Sequence, residues 1–148
     1  MAVKETRISE ILQKKEGDIF SVTPKTTVFE AIHLMASHKI GAVLVMDKDR
    51  IVGIFSERDY LNKIILEGHT SKETRIKDVM TTKVVFVTPD ASIEEGLAIM
   101  TEKKCRHLPV LDNKKLIGIV SIGDLVRQII KDQKVAIHYL TEYITLSY

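Results

Sequence analysis

The sequence predicts a mixed α/β (α+β) fold in which one supersecondary unit is used twice. Three observations carry that prediction. First, residues 22–61 lie on residues 87–126 without a gap when shifted by 65 positions, with 12 identities in those 40 positions. Chance would supply about two or three, because the composition is ordinary. Second, both copies carry the same helix-start signal, Thr27-Val28-Phe29-Glu30 and Ser92-Ile93-Glu94-Glu95. Third, each copy ends in two short apolar runs split by a polar tetrapeptide and followed by Ser-x-x-Asp. A repeat at this spacing predicts two like units facing each other, with a cleft between them.

Taken in order, residues 7–15 read as a short helix, and residues 75–80 repeat its start at an offset of 68. Three residues have therefore been gained or lost near Gly17. Ile19–Val22 and Val84–Val87 are β-rich runs closed by Thr-Pro, and Pro24 and Pro89 hold the preceding residue extended. Thr27 and Ser92 then open helices as capping boxes, with a carboxylate three residues on. Ala31, Ile32, Met35 and Ala36 follow at helical spacing, matched by Gly96, Leu97, Met100 and Thr101. Ala42–Met46 and Ile51–Phe55 predict a hairpin around Asp47–Arg50. Leu108–Leu111 and Leu116–Val120 predict its counterpart around Asp112–Lys115. A helix after Ser56 stops at Gly68, a suitable C′ residue, and its twin follows Ser121. The expected boundaries are 1–68 for the first repeat with its N-terminal helix, 69–74 for a polar linker and 75–132 for the second repeat. Residues 133–148 form a helical extension, with Ala136, Tyr139, Leu140, Tyr143 and Ile144 on one face.

The chain has 148 residues, enough for one domain or one fused pair sharing a core. Its net charge of +2, with no stripe of Lys and Arg, argues against nucleic acid as a partner. The apolar stretch Ile40–Met46 is too short to span a bilayer, and Met1–Glu5 begins no signal peptide. No membrane partner is expected. A single cysteine, Cys105, excludes an intramolecular disulfide framework and fits a reducing, cytoplasmic setting.

Gly-Ile-x-Ser-x-x-Asp occurs in both copies where a strand gives way to a helix, as Gly53–Asp59 and Gly118–Asp124. A helix N-terminus offers free N–H groups and partial positive charge to a phosphate. The serine can donate to phosphate, and an aspartate one turn in can accept both hydroxyls of a ribose. Ser-x-x-Asp is equally a helix cap, and duplication would copy a cap as readily as a site. Both readings stand on these residues alone.

Together these motifs resemble a tandem pair of CBS domains, the Bateman module, over residues 7 to about 132. The resemblance is carried by Ile76-Lys77-Asp78-Val79-Met80-Thr81, by the two Val-Thr-Pro turns, by Arg106-His107-Leu108-Pro109-Val110 and by both glycine-to-aspartate signatures. It implies two βαββα units packed sheet to sheet about a pseudo-twofold axis. It also implies two clefts that commonly hold AMP, ADP, ATP, NAD or S-adenosylmethionine. Asp59 and Asp124 would hold ribose hydroxyls, and Ser56 and Ser121 would lie at the phosphate or ribose edge. Ile40, Gly41 and Ala42, with Cys105, Arg106, His107 and Pro109, would line the adenine end. Thr81 and Thr82 would approach the base of one site. The pattern breaks near Gly17-Asp18, so nothing is carried over there.

The copies differ where ligand selection would be set. Glu57-Arg58 faces Ile122-Gly123 in the alignment, and Gly41-Ala42 faces Arg106-His107. Arg58 has the reach for a bidentate phosphate contact, and a solvated helix-face arginine is the alternative. Arg106-His107 suits clamping a phosphate or stacking on a base, and polarity at a strand edge is the alternative. Two clefts of unequal affinity or ligand are expected.

Other signals are set aside. Cys105 and His107 have no orienting partner for nucleophilic catalysis. The five histidines have no metal-ligand spacing, so no metal site is expected. Met35 and Met100 read as core, and no Walker or Rossmann loop is present. The sequence thus predicts a non-catalytic regulatory module that binds AMP, ADP or ATP. It is expected to act as a homodimer and to signal to a separate, unidentified protein. An NAD(H)-binding redox sensor of the same fold, a ligand-free interaction protein and an unrecognised enzyme are the alternatives.

Overall fold

The computed structural model describes residues 5–15 and 17–132. The 133–148 extension lies outside them. The chain divides into two compact units. One is residues 17–85. Among the described residues, the other joins 5–15 to 86–132.

The 17–85 unit holds β1 (Ser21–Val22), α2 (Val28–His38), β2 (Ala42–Asp47), β3 (Arg50–Ser56) and α3 (Glu57–Asp59). α3 passes directly into π-helical turns, Tyr60–Ile65, and a 3-10 turn follows at Ile76–Asp78. β1 pairs parallel to β2, and β2 antiparallel to β3. Val28, Ala31 and Met35 form the buried stripe of α2, against Val43, Val45, Phe55, Ile64, Ile76 and Val79. Thr27 caps α2 by accepting the Glu30 N–H at 3.1 Å. The expected four-residue hairpin loops are two-residue turns, because Asp47 pairs with Arg50 and Asp112 with Lys115. Lys48 accordingly takes φ 57°, and Asn113 and Lys114 take 51° and 68°.

The other unit holds α1 (Ile8–Lys14), α4 (Ile93–Lys103), β4 (His107–Asp112), β5 (Lys115–Ser121) and α5 (Ile122–Asp132). Ile8, Ile11, Ile93, Met100, Leu108, Val110, Val120 and Leu125 are buried in it. The expected strand Val84–Val87 does not form. One parallel bridge survives, between Val87 and Val110. Pro109 stands where the first copy has Leu44, which pairs with Ser21. A proline has no N–H to give to a third strand.

The opening segments change places. α1 belongs with the second repeat, whereas the expected boundary put it with the first. Residues 75–81 belong with the first. The same contacts hold each one. Ile8 N–H donates to Ala91 O at 2.8 Å, and Ile76 N–H to Thr26 O at 2.8 Å. Arg7 Nη1 donates to Asp90 O, and Arg75 Nη1 to Lys25 O, both at 2.8 Å. A side chain from each segment then covers a strand glycine. A Cβ on Gly118 would lie 2.6 Å from Leu12 Cδ2, and one on Gly53 would lie 2.6 Å from Met80 Sδ.

These glycines are not equally tolerant. The Cβ on Gly53 also meets the Thr81 backbone oxygen at 3.1 Å, whereas Gly118 faces only the end of Leu12. A side chain can turn away more easily than a paired backbone. Gly53→Ala is expected to destabilise the protein by about 1–3 kcal/mol, and Gly118→Ala by less. The urea midpoints of the two variants check this order.

Candidate functional site

In the 17–85 unit, β3 ends at Ser56 and the chain turns at once into α3. Ser56 N–H and hydroxyl both donate to Asp59 Oδ2, at 3.0 and 3.2 Å. Asp59 N–H returns a bond to Ser56 Oγ at 3.2 Å, which closes a full capping box. The other oxygen, Oδ1, accepts the Thr81 hydroxyl at 3.2 Å and faces Lys63 Nζ at 3.2 Å. Lys63 also donates to Val79 O at 2.9 Å. Thr81 is fixed from behind, since its N–H and C=O both pair with Ile54 at 2.9 Å. The corner is completed by Gly41, whose carbonyl accepts the Glu57 N–H at 3.0 Å, and by Ala42, paired with Ser56.

The other unit builds the same corner with different cations. Ser121 N–H donates to Asp124 Oδ2 at 2.9 Å, and Asp124 N–H to Ser121 Oγ at 3.2 Å. Lys15 Nζ reaches the same carboxylate oxygen at 2.9 Å and the Ile119 carbonyl at 2.8 Å. Arg127 Nη2 takes Oδ1 at 2.7 Å. Arg106 offers its carbonyl to Ile122 N–H at 2.9 Å, and His107 pairs with Ser121.

Both carboxylates are sheltered, with side-chain exposures of 14% for Asp59 and 11% for Asp124. Burial pushes the Asp124 carboxyl up. The Lys15 hydrogen bond, the Ser121 N–H and the Lys15 charge outweigh it, so it titrates below the ordinary 3.8. Asp124 is an anion at neutral pH. Burial raises the half-buried Cys105 thiol, which keeps it from the thiolate form a nucleophile needs.

The structure thus gathers Ser56, Asp59, Thr81, Gly41 and Ala42 in one unit. In the other it gathers Ser121, Asp124, Gly123 and His107, with the Arg106 backbone. Ile40 packs against the hydrophobic core, and Cys105 gives its N–H to Met100 O at 3.0 Å. Arg58 and Thr82 are exposed beside the first corner, and the Arg106 side chain is exposed beside the second. Pro109 is buried opposite Ile119, two residues along β4 from the His107–Ser121 pair. An open hollow of about 750 Å³, bordered by Arg7, Asp90, Asp112 and Asn113, lies at the hairpin-turn end of β4 and β5. It includes none of these residues.

Three site residues escape the motif reading. Lys63 had a local signal, being four residues after an aspartate on a helix, and Arg127 is three after one. Lys15 had none, because its partner is 109 residues away. Among the described residues no cluster of His, Cys, Asp and Glu could hold a metal ion, and no helix is long and apolar enough to cross a membrane.

Residues 8–66 and 76–131 each match the model of the CBS domain. The CBS domain-containing protein CBSX3, mitochondrial, of Arabidopsis thaliana is 36% identical over 98% of this chain and 75% of its own length. A solved structure from Burkholderia ambifaria MC40-6, described as a candidate signal-transduction protein with CBS domains, is 46% identical. Its TM-score is 0.83 over 96% of this chain and 100% of that one. The CBS-domain containing protein ATU1752 of Agrobacterium tumefaciens is 35% identical, with a TM-score of 0.80 over 84% of this chain and 99% of its own. Two matched segments, built on one strand-to-helix corner each, lead to a single assignment: the chain belongs to the CBS-domain family and carries the domain twice.

Proposed function

We propose that this protein is a non-catalytic regulatory module that binds an adenine nucleotide, AMP foremost and ADP or ATP by the same contacts, at its two strand-to-helix corners. The observation that carries this reading is the sheltered carboxylate in each unit. It lies at a helix start, beside a serine and within reach of a lysine. A carboxylate suits the vicinal hydroxyls of a ribose, and a helix start with an ammonium suits a phosphate. A micromolar ligand supplies about 8 kcal/mol of binding, and the part of it that favours one conformation over the other is what shifts the equilibrium. The output passes to a separate protein in a reducing, cytoplasmic compartment, as the lone Cys105 suggests.

One observation favours NAD(H) as a second reading. The Asp124 corner has two cations on its carboxylate, Lys15 and Arg127, where the Asp59 corner has one. A second phosphate would find more charge there.

Self-association fits the exposed faces of the helices that follow each corner. Leu61, Ile65 and Leu66 are 54%, 52% and 72% exposed in one unit, and Ile122 and Val126 are both 42% exposed in the other. Apolar side chains at successive helix turns favour a partner surface, and a second copy of the chain is the proposed one.

Three outcomes are expected. In calorimetry with AMP, Asp59→Asn and Asp124→Asn each remove one binding event and spare the other. Persistence of both events in both variants refutes the assignment. Sedimentation gives a dimer at micromolar concentration, and Leu61→Glu with Val126→Glu gives a monomer. The third concerns pH. The folded value of Asp124 is depressed, so its stabilisation is full above the ordinary carboxylate value and is lost as pH falls through the folded one. The stability gap between the protein and Asp124→Asn is therefore widest near neutrality and closes below about pH 4. Urea midpoints at several pH values measure it.

A further inference from the structure

Two lysines reach the two capping carboxylates by different routes. Lys63 comes from the π-helical turns four residues after Asp59. Lys15 comes from the end of the opening segment, 109 residues before Asp124. The repeat did not copy one into the other, because the position equivalent to Lys63 is Gln128. Duplication explains two serine–aspartate caps. It does not explain two ammonium groups arriving independently on the same oxygen pair.

The capping carboxylates are also heavily occupied. A carboxylate accepts about four hydrogen bonds. Asp59 receives the Ser56 N–H, the Ser56 hydroxyl, the Thr81 hydroxyl and Lys63. Asp124 receives the Ser121 N–H, Lys15 and Arg127. Asp59 is full and Asp124 has about one site left, so a ribose that gives both hydroxyls to either aspartate must displace a donor already there. Backbone and cap donors are fixed by the fold. At Asp59 the half-exposed Lys63, 35% exposed, is the charged group able to leave; at Asp124 both Lys15, 38% exposed, and Arg127, 69% exposed, are.

We infer that Lys63 and Lys15 are exchangeable placeholders that make the corners selective for phosphorylated nucleosides. The ribose hydroxyls of the ligand replace the ammonium on the aspartate, and the ammonium turns to the 5′-phosphate. With a phosphate present, the lysine exchanges one anion for another. With an unphosphorylated nucleoside, it leaves its carboxylate and gains nothing. The lysine is thus a specificity-determining group. This inference rests on the proposed nucleotide-binding function.

Calorimetry of the full chain with AMP and with adenosine tests it, on the protein itself and on Lys63→Met and Lys15→Met. The unsubstituted protein is expected to prefer AMP by roughly tenfold to a hundredfold, the range for charge-assisted hydrogen bonds. Each Met variant is expected to bind adenosine more tightly and AMP more weakly at its own corner, bringing that preference toward one. Lys63→Arg should restore it, which separates the charge from a packing effect. An unchanged AMP-to-adenosine ratio in both Met variants, or equal weakening of both ligands, overturns the inference and leaves nucleotide binding standing. Failure of the unsubstituted protein to bind either ligand overturns both.

Discussion

Leu12 against Gly118 and Met80 against Gly53 are one contact made twice, and the rest of the fold depends on it. Each side chain belongs to an opening segment that the sequence repeat assigns to the other copy. Without it, the strand glycine would leave a hole in a packed sheet face. The segment also brings the groups that finish each corner. Thr81 pairs with Ile54 and points its hydroxyl at Asp59, and Lys15 reaches Asp124 from the end of α1. Packing and site are therefore set by the same exchange. Neither repeat, cut at its sequence boundary, contains a complete corner.

Local features were legible in the sequence, and long-range ones were not. Thr27, Ser92, Ser56 and Ser121 cap helices where their spacing placed them, because a cap is decided within four residues. Both hairpins form where pairs of apolar runs split by polar tetrapeptides predicted them. The strand at Val84–Val87 fails for a reason visible only after pairing is known, namely the missing N–H of Pro109 in the neighbouring strand. The helix ending at Gly68 starts as expected. It is largely π-helical, and nothing in the structure explains that choice. The offset of 68 between the opening segments was readable, but not which sheet each would cover. That choice belongs to tertiary packing. It hid Lys15, whose carboxylate partner lies 109 residues further along the chain.

The sequence left capping and ligand binding as rival readings of Ser-x-x-Asp. The geometry shows the cap in both units, and it shows why a cap is compatible with a site. The cap bonds that order α3 and α5 use one oxygen of each carboxylate, and the other oxygen takes Thr81 and Lys63 at Asp59 and Arg127 at Asp124, where Lys15 shares the capping oxygen. A cap that is also ion-paired is a preorganised acceptor, and preorganisation is what a small ligand needs. The unequal donors of the two corners, Lys63 with the Thr81 hydroxyl against Lys15 with Arg127, add to the inequality first seen between Glu57-Arg58 and Ile122-Gly123.

The central claim is that an adenine nucleotide occupies the strand-to-helix corners. Backbone amide spectra recorded during an AMP titration test it most directly. The account predicts saturable shifts at the amides of Ser56, Asp59, Ser121 and Asp124, with the two pairs saturating at different concentrations. Unmoved amides at all four positions under millimolar AMP, or shifts confined to the hollow near Arg7 and Asp112, would contradict it.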